Sequence, residues 1–182
     1  MKIAQRIVFV LSLIVGISYF VYALAFASNW ALGEGLLGDF YLDMQAANHM
    51  IFQWALTSVV FAALSMIVQS GIKRRYTVFN YAFAIATIYA MIQAAMITTP
   101  LCQNLEAAYR QLNPIIVELL FAINFTKNPD LVFQAGYLFS TLLYAQAALM
   151  TVFLVVRFAH RLIAAKAKQH FFAENAHANP NR

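Results

Sequence analysis

The chain has 182 residues, 63% of them hydrophobic and only 10% charged, with a formal net charge of +5. A soluble domain carries about 25% charged residues, and a much lower share leaves large apolar patches facing water. The composition excludes a soluble globular domain and points to an all-α integral membrane protein. Cys102 is the single cysteine, which excludes an intrachain disulfide, a CxxC redox pair and a quinone-linked thiol oxidase built on several cysteines. It reads as a small apolar filler.

Residues 1–6 are short and basic, and residues 7–27 follow without a charge. The ending Ala25-Phe26-Ala27 imitates a signal-peptidase site, but the apolar run exceeds the roughly 7–15 residues of a signal-peptide core. It reads as the first span. Residues 28–49 read as an outer loop, with Glu34, Asp39 and Asp43 and no basic residue. Gly33, Gly35 and Gly38 break regular structure there, and Trp30, Phe40 and Tyr41 suit the membrane interface.

Residues 50–70 make a second uncharged span. The turn at 71–76 holds Lys73, Arg74 and Arg75, and its shortness implies an antiparallel hairpin into a third span at 77–98. Ala82, Ala86, Ala90 and Ala94 recur there every fourth residue, a ridge of the kind along which membrane helices approach closely. Pro100 is expected to close this span.

Residues 99–130 form the longest part outside the spans. Leu105 to Leu112 reads as helical, and 114–125 is apolar except for Glu118 and Asn124. Twelve residues reach only about 18 Å as a helix, against about 30 Å of hydrocarbon. This stretch is therefore expected to lie at the interface or cap the outer ends of the spans. Asn124-Phe125-Thr126 is a glycosylation sequon, and Asp130 suits a helix cap. Residues 131–156 form the fourth span, and helical spacing continues through Arg157, Arg161 and Lys168 into a tail at 157–182.

The charges orient the chain. With both termini and the 71–76 turn inside, the inner side holds Lys2, Arg6, Lys73, Arg74, Arg75, Arg157, Arg161, Lys166, Lys168 and Arg182. Only Arg110 and Lys127 fall outside, where Glu34, Asp39, Asp43, Glu106, Glu118 and Asp130 gather. Lys and Arg remain on the cytoplasmic side, so the expected location is the plasma (inner) membrane with both termini cytoplasmic. The basic residues hug membrane ends, where Lys73, Arg74, Arg75, Arg157 and Arg161 meet lipid headgroups; no nucleic-acid partner is expected.

No span carries a charge, which argues against a carrier that couples transport to protons or ions through an intramembrane titratable group. The polar candidates are uncharged: Gln53 on the second span, Asn80, Tyr89 and Gln93 on the third, Tyr144 and Gln146 on the fourth. Tyr89 and Gln93 stand four apart on one face. Such groups act as glue between helices or line a small polar path. His49 and His160 fall near opposite membrane faces, too far apart to share a haem, and His170 and His177 lack the company a metal site requires. No phosphate loop, HExxH or GxSxG occurs, so no catalytic residue, metal or cofactor is assigned.

The layout of four spans, internal termini and two outer loops resembles that of claudin-like, tetraspanin-like and MARVEL-type proteins. The paired cysteines of claudins and the Cys-Cys-Gly signature of tetraspanins are both missing, and layout alone implies no function.

The sequence thus implies one domain, a four-transmembrane-helix bundle with an outer amphipathic cap segment and a cytoplasmic extension of the fourth span. The expected function is a non-catalytic subunit that packs against other membrane proteins or self-associates within the lipid bilayer. Apparent spare aromatic surface at Phe9, Phe20, Phe79, Phe83, Phe139 and Phe153 supports this. The alternatives are an oligomeric passive channel or small-solute carrier lined by Gln53, Tyr89, Gln93 and Gln146, and a lipid-directed enzyme using Glu106 and Glu118.

Overall fold

Hydrocarbon offers a peptide group no hydrogen bond, so a chain of this composition must satisfy its backbone within helices. The computed structural model describes residues 2–28, 39–70, 77–123 and 129–178, and among them no strand occurs. They form α1 (Lys2–Ser28), α2 (Asp39–Ser70), α3 (Thr77–Tyr109), α4 (Pro114–Ile123) and α5 (Pro129–Ala178). All but α4 are long and apolar enough to cross a membrane. The chain is a multi-pass integral membrane protein. Lys73, Arg74, Arg75 and the sequon at Asn124 lie outside the described residues.

The long helices close into a ring in the order α1, α2, α3, α5 and back to α1. Side-chain pairs fix the directions. Phe20 meets Phe52 while Gly16 faces Val59, so α1 and α2 are antiparallel. Trp54 against Tyr89 and Phe61 against Phe83 do the same for α2 and α3. Glu106 meets Tyr137 at one end of the α3–α5 seam, and Tyr81 meets Arg157 at the other. One end of the bundle therefore carries Arg6, Arg157 and Arg161, and the other carries Asp39, Asp43, Glu106 and Asp130. We call these the basic and acidic ends.

The helices α2 and α3 each bury a stripe at spacings of three or four. On α3 the stripe is Asn80, Ala84, Thr87, Met91, Ala94, Thr98, Cys102, Leu105 and Tyr109. On α2 it is Phe40, Met44, Ala47, Ile51, Ala55, Ser58, Ala62 and Ser65. The middles of these two stripes are mostly Ala, Ser and Thr, small residues that let backbones approach where lipid supplies no hydrophobic drive. The space toward α1 and α5 is filled by larger groups, among them Tyr19, Phe26, Phe133, Leu143 and Met150, none more than 1% exposed.

The alanine ridge does not follow the α3 stripe. A step of four residues overshoots a 3.6-residue turn by about 40°, so the ridge winds around the helix. Ala82 is exposed, Ala86 half-buried, and Ala90 and Ala94 are buried in the bundle.

Three expectations need correction. Pro100 does not close the third span: α3 runs on to Tyr109. Proline removes one helical donor and crowds the preceding turn. Thr98 and Thr99 stand just before it, and each donates its hydroxyl to a carbonyl four residues back, to Ala94 O at 2.7 Å and Ala95 O at 3.2 Å. Hydroxyls used this way are one means by which membrane helices accommodate proline. Second, residues 39–49 are not loop. α2 starts at Asp39, immediately after Gly38, with an acidic residue in its first turn where the helix dipole favours it. Third, the aromatic rings are largely not spare. Phe9 is buried edge-on against Phe153, Phe139 packs on Tyr19 and Tyr22, and Phe20 and Phe83 meet Phe52 and Phe61. Phe79 does remain exposed, at 56%.

The short helix α4 has ten residues, about 15 Å at 1.5 Å per residue, half of what a span requires. Asn113 caps it, its Oδ1 accepting from the Ile115 amide at 3.0 Å. Ile116 and Val117 rest on the bundle core while Ile115 and Glu118 face outward.

Of the two described glycines, Gly136 on α5 has the closer neighbours. A methyl group there would overlap the Cys102 sulfur and stand 2.6 Å from the Tyr22 hydroxyl. At Gly16 a methyl group would meet Val59 at an ordinary 3.5 Å. Gly136→Ala is therefore expected to destabilise the bundle by about 1–3 kcal/mol through overpacking. Gly16→Ala should be neutral or slightly stabilising, because alanine is the better helix former by about 1 kcal/mol. Unfolding of both variants in one detergent checks this; equal losses at the two glycines would contradict it.

Candidate functional site

A polar side chain within the membrane needs a partner, and the described helices supply three clusters of them. The first lies in the acidic half of the bundle. Thr98 has one hydroxyl proton, already donated to Ala94 O, so Tyr19 on α1 donates to Thr98 Oγ1 at 2.5 Å across the bundle. One turn further along, Tyr22 donates to the Val132 carbonyl of α5 at 3.2 Å. The Cys102 thiol is then left to donate weakly to the Tyr22 oxygen at 3.5 Å. Gly136 makes room for this three-helix junction.

The junction continues to the surface through Glu106. One carboxylate oxygen accepts from Arg110 at 2.6 Å and the other from the Tyr137 hydroxyl at 2.8 Å. Arg110 also stands 3.8 Å from Asp130 at the start of α5. Both oxygens of Glu106 are thereby engaged, one locally by Arg110 and the other in tying α3 to Tyr137 of α5. Glu118, on α4, is exposed and takes no part in these bonds. Among the described residues no three of His, Cys, Asp and Glu gather closely enough to hold a metal ion.

The second cluster lies in the basic half, between α1 and α5. The Gln146 amide donates to Ser12 Oγ at 2.7 Å and to the Val8 carbonyl at 3.1 Å. Ser12 turns its own proton toward Val8 O or Met150 Sδ, each at 2.9 Å. On the opposite seam, between α2 and α3, Thr87 donates to Phe83 O, so Ser65 of α2 donates to Thr87 Oγ1 at 3.2 Å. The third cluster is at the basic end. The guanidinium carbons of Arg157 and Arg161 lie 5.5 and 5.4 Å from the centre of the Tyr81 ring.

The polar residues singled out in the sequence are scattered by this arrangement. Gln146 among them hydrogen-bonds to another helix, α1. Asn80 is buried, and its Oδ1 has no hydrogen-bond partner among the described residues. Gln53, Tyr89 and Tyr144 face outward, Tyr89 with its ring against Trp54, and Gln93 is half-buried. Gln53, Tyr89, Gln93 and Gln146 do not converge on one path within a single chain. Of the headgroup candidates, Arg157 is half-buried and Arg161 exposed, both on Tyr81.

Sequence reading missed the tyrosine junction, because Tyr19, Tyr22 and Cys102 look like ordinary apolar filler until three helices meet. A signal existed for Glu106 and Arg110, which are four apart on one helix.

If Gln146 joins α1 to α5, Gln146→Leu should lower stability, and its coupling to Ser12→Ala in a double-mutant cycle should fall near 0.6 kcal/mol and below about 1.7 kcal/mol. Gln53→Leu, on the outer surface, should cost nothing measurable. Zero coupling between positions 146 and 12 in detergent unfolding would contradict the assignment. No protein-family model matches the chain, and comparison with curated proteins and with solved structures gives no significant match.

Proposed function

We propose that the chain is a non-catalytic subunit of a larger membrane complex, seated in the plasma (inner) membrane with both termini in the cytoplasm. The observation that carries the reading is the course of α5 beyond the bundle. Among its described side chains the last buried one is Met150, yet the helix extends to Ala178. Past Arg157, Phe158, Leu162 and Ile163 are 57%, 50% and 69% exposed. With Val152, Val155 and Val156 they cover a broad apolar face at helical spacing, turned away from the side that carries Arg157 and Arg161. Exposed apolar groups beyond a basic membrane boundary call for cover. A helix of another membrane protein, also extending past the bilayer, would supply it.

The polar chemistry accords with this role. Glu106 is committed to Arg110 and Tyr137, and the hydroxyls of Tyr19 and Thr98, and of Ser65 and Thr87, bond to each other between helices. A second reading, a passive channel or carrier, draws on Gln53 and Tyr89, polar groups on the outer surfaces of α2 and α3. Such a path would run between copies of the chain.

The deciding experiment is purification from the native membrane in mild detergent, with the composition and mass of what accompanies the chain. A stoichiometric complex with unrelated proteins is expected, and Leu162→Glu with Ile163→Glu should release it while leaving the melting of the bundle unchanged. A lone homo-oligomer that passes small solutes in liposomes would overturn the subunit reading in favour of the second.

A further inference from the structure

The third cluster has more structure than a topology signal requires. Arg157 and Arg161 are one helical turn apart on α5, where two like charges repel. Both nevertheless hold their guanidinium groups about the ring of Tyr81 on α3, drawn by its negative face. Among the described residues neither arginine has a carboxylate partner; the ion pairs there belong to Arg110, with Glu106 and Asp130, at the opposite end. Arg157 is also half-buried. Two gathered cations, one partly withdrawn from water and neither neutralised, make an anion site in want of its anion.

The chemistry of the site narrows the ligand. Guanidinium forks match the oxygens of a phosphate. The Tyr81 hydroxyl has no hydrogen-bond partner among the described residues. Tyr81 stands near the start of α3, at the depth where amphipathic rings and phosphates share the interface. Exposed Val78 and Phe79 on α3 flank this end, apolar surface of the kind acyl chains cover.

We propose that Arg157, Arg161 and Tyr81 form a binding site for the phosphate of an anionic phospholipid at the basic end of the α3–α5 seam. The two arginines are the ligands and the tyrosine ring positions them. The site does not depend on the subunit reading.

The test uses the full chain in detergent, titrated with phosphatidylglycerol, phosphatidylcholine or inorganic phosphate, with bound lipid read by native mass spectrometry. Phosphatidylglycerol should bind in preference to phosphatidylcholine, and millimolar inorganic phosphate should not displace it. Arg157→Gln with Arg161→Gln should weaken phosphatidylglycerol about thirtyfold, at roughly fivefold per basic residue near an anionic surface. Lys166→Gln, exposed on the same helix, should change it little. Tyr81→Leu keeps every charge, and should weaken binding because the arginines are no longer gathered. Equal weakening by Lys166→Gln, or full binding by Tyr81→Leu, would reduce the cluster to diffuse charge and overturn the proposal. Displacement by inorganic phosphate at comparable concentration would assign the site to a soluble anion and overturn it as well. Size-exclusion profiles matching the parent chain establish that each variant is folded.

Discussion

With neither water nor a hydrophobic drive between helices, the bundle rests on close approach, and close approach is set by what each helix places on its buried stripe. The junction of Tyr22, Cys102 and Gly136 concentrates this constraint. Gly136 removes the side chain that would hold α5 off, the Tyr22 hydroxyl takes the Val132 carbonyl, and the Cys102 thiol sits against the same oxygen. Three helices meet where one missing methyl group leaves room. Around it the aromatic rings Phe26, Phe139 and Tyr19 pack in turn.

Polar groups in this protein serve the same end by a different route. Each cluster ties elements that are distant in sequence: Tyr19 to Thr98, Gln146 to Ser12, Glu106 to Tyr137. Individually such bonds contribute a few tenths of a kcal/mol to about 1.7 kcal/mol. Their larger effect is on register. A helix free to slide along an apolar neighbour loses little dispersion energy, but it loses every one of these bonds at once. The clusters at two depths therefore hold α5 against α1 and α3 in one axial position.

The two ends of the molecule differ in kind. At the acidic end Arg110 has carboxylate partners in Glu106 and Asp130. At the basic end Arg157 and Arg161 are gathered on an aromatic ring with no counter-charge among the described residues, and α5 continues outward bearing an apolar face. The basic end thus presents both unpaired cations and apolar surface.

The number of spans, their approximate limits, the all-helical class and the charge asymmetry were legible in the sequence, because lipid imposes length and polarity on every segment separately. Which face of each helix is buried was not. The alanines at 82, 86, 90 and 94 look like one face, yet a four-residue step drifts about 40°, so the ridge begins on the exterior and ends in the core. Whether Pro100 ends a helix also lay beyond the local pattern. The hydroxyls of Thr98 and Thr99 accompany its passage, and Thr98 in turn is held by Tyr19 from another helix. Gln53 and Gln146 are the same kind of residue in equally apolar runs; one faces outward and the other locks two helices together. Segment by segment, the sequence by itself determined that this chain enters the membrane four times. Only the tertiary structure decided which of its polar groups meet, because a side chain's partner depends on the rotation of two helices and not on the composition of either.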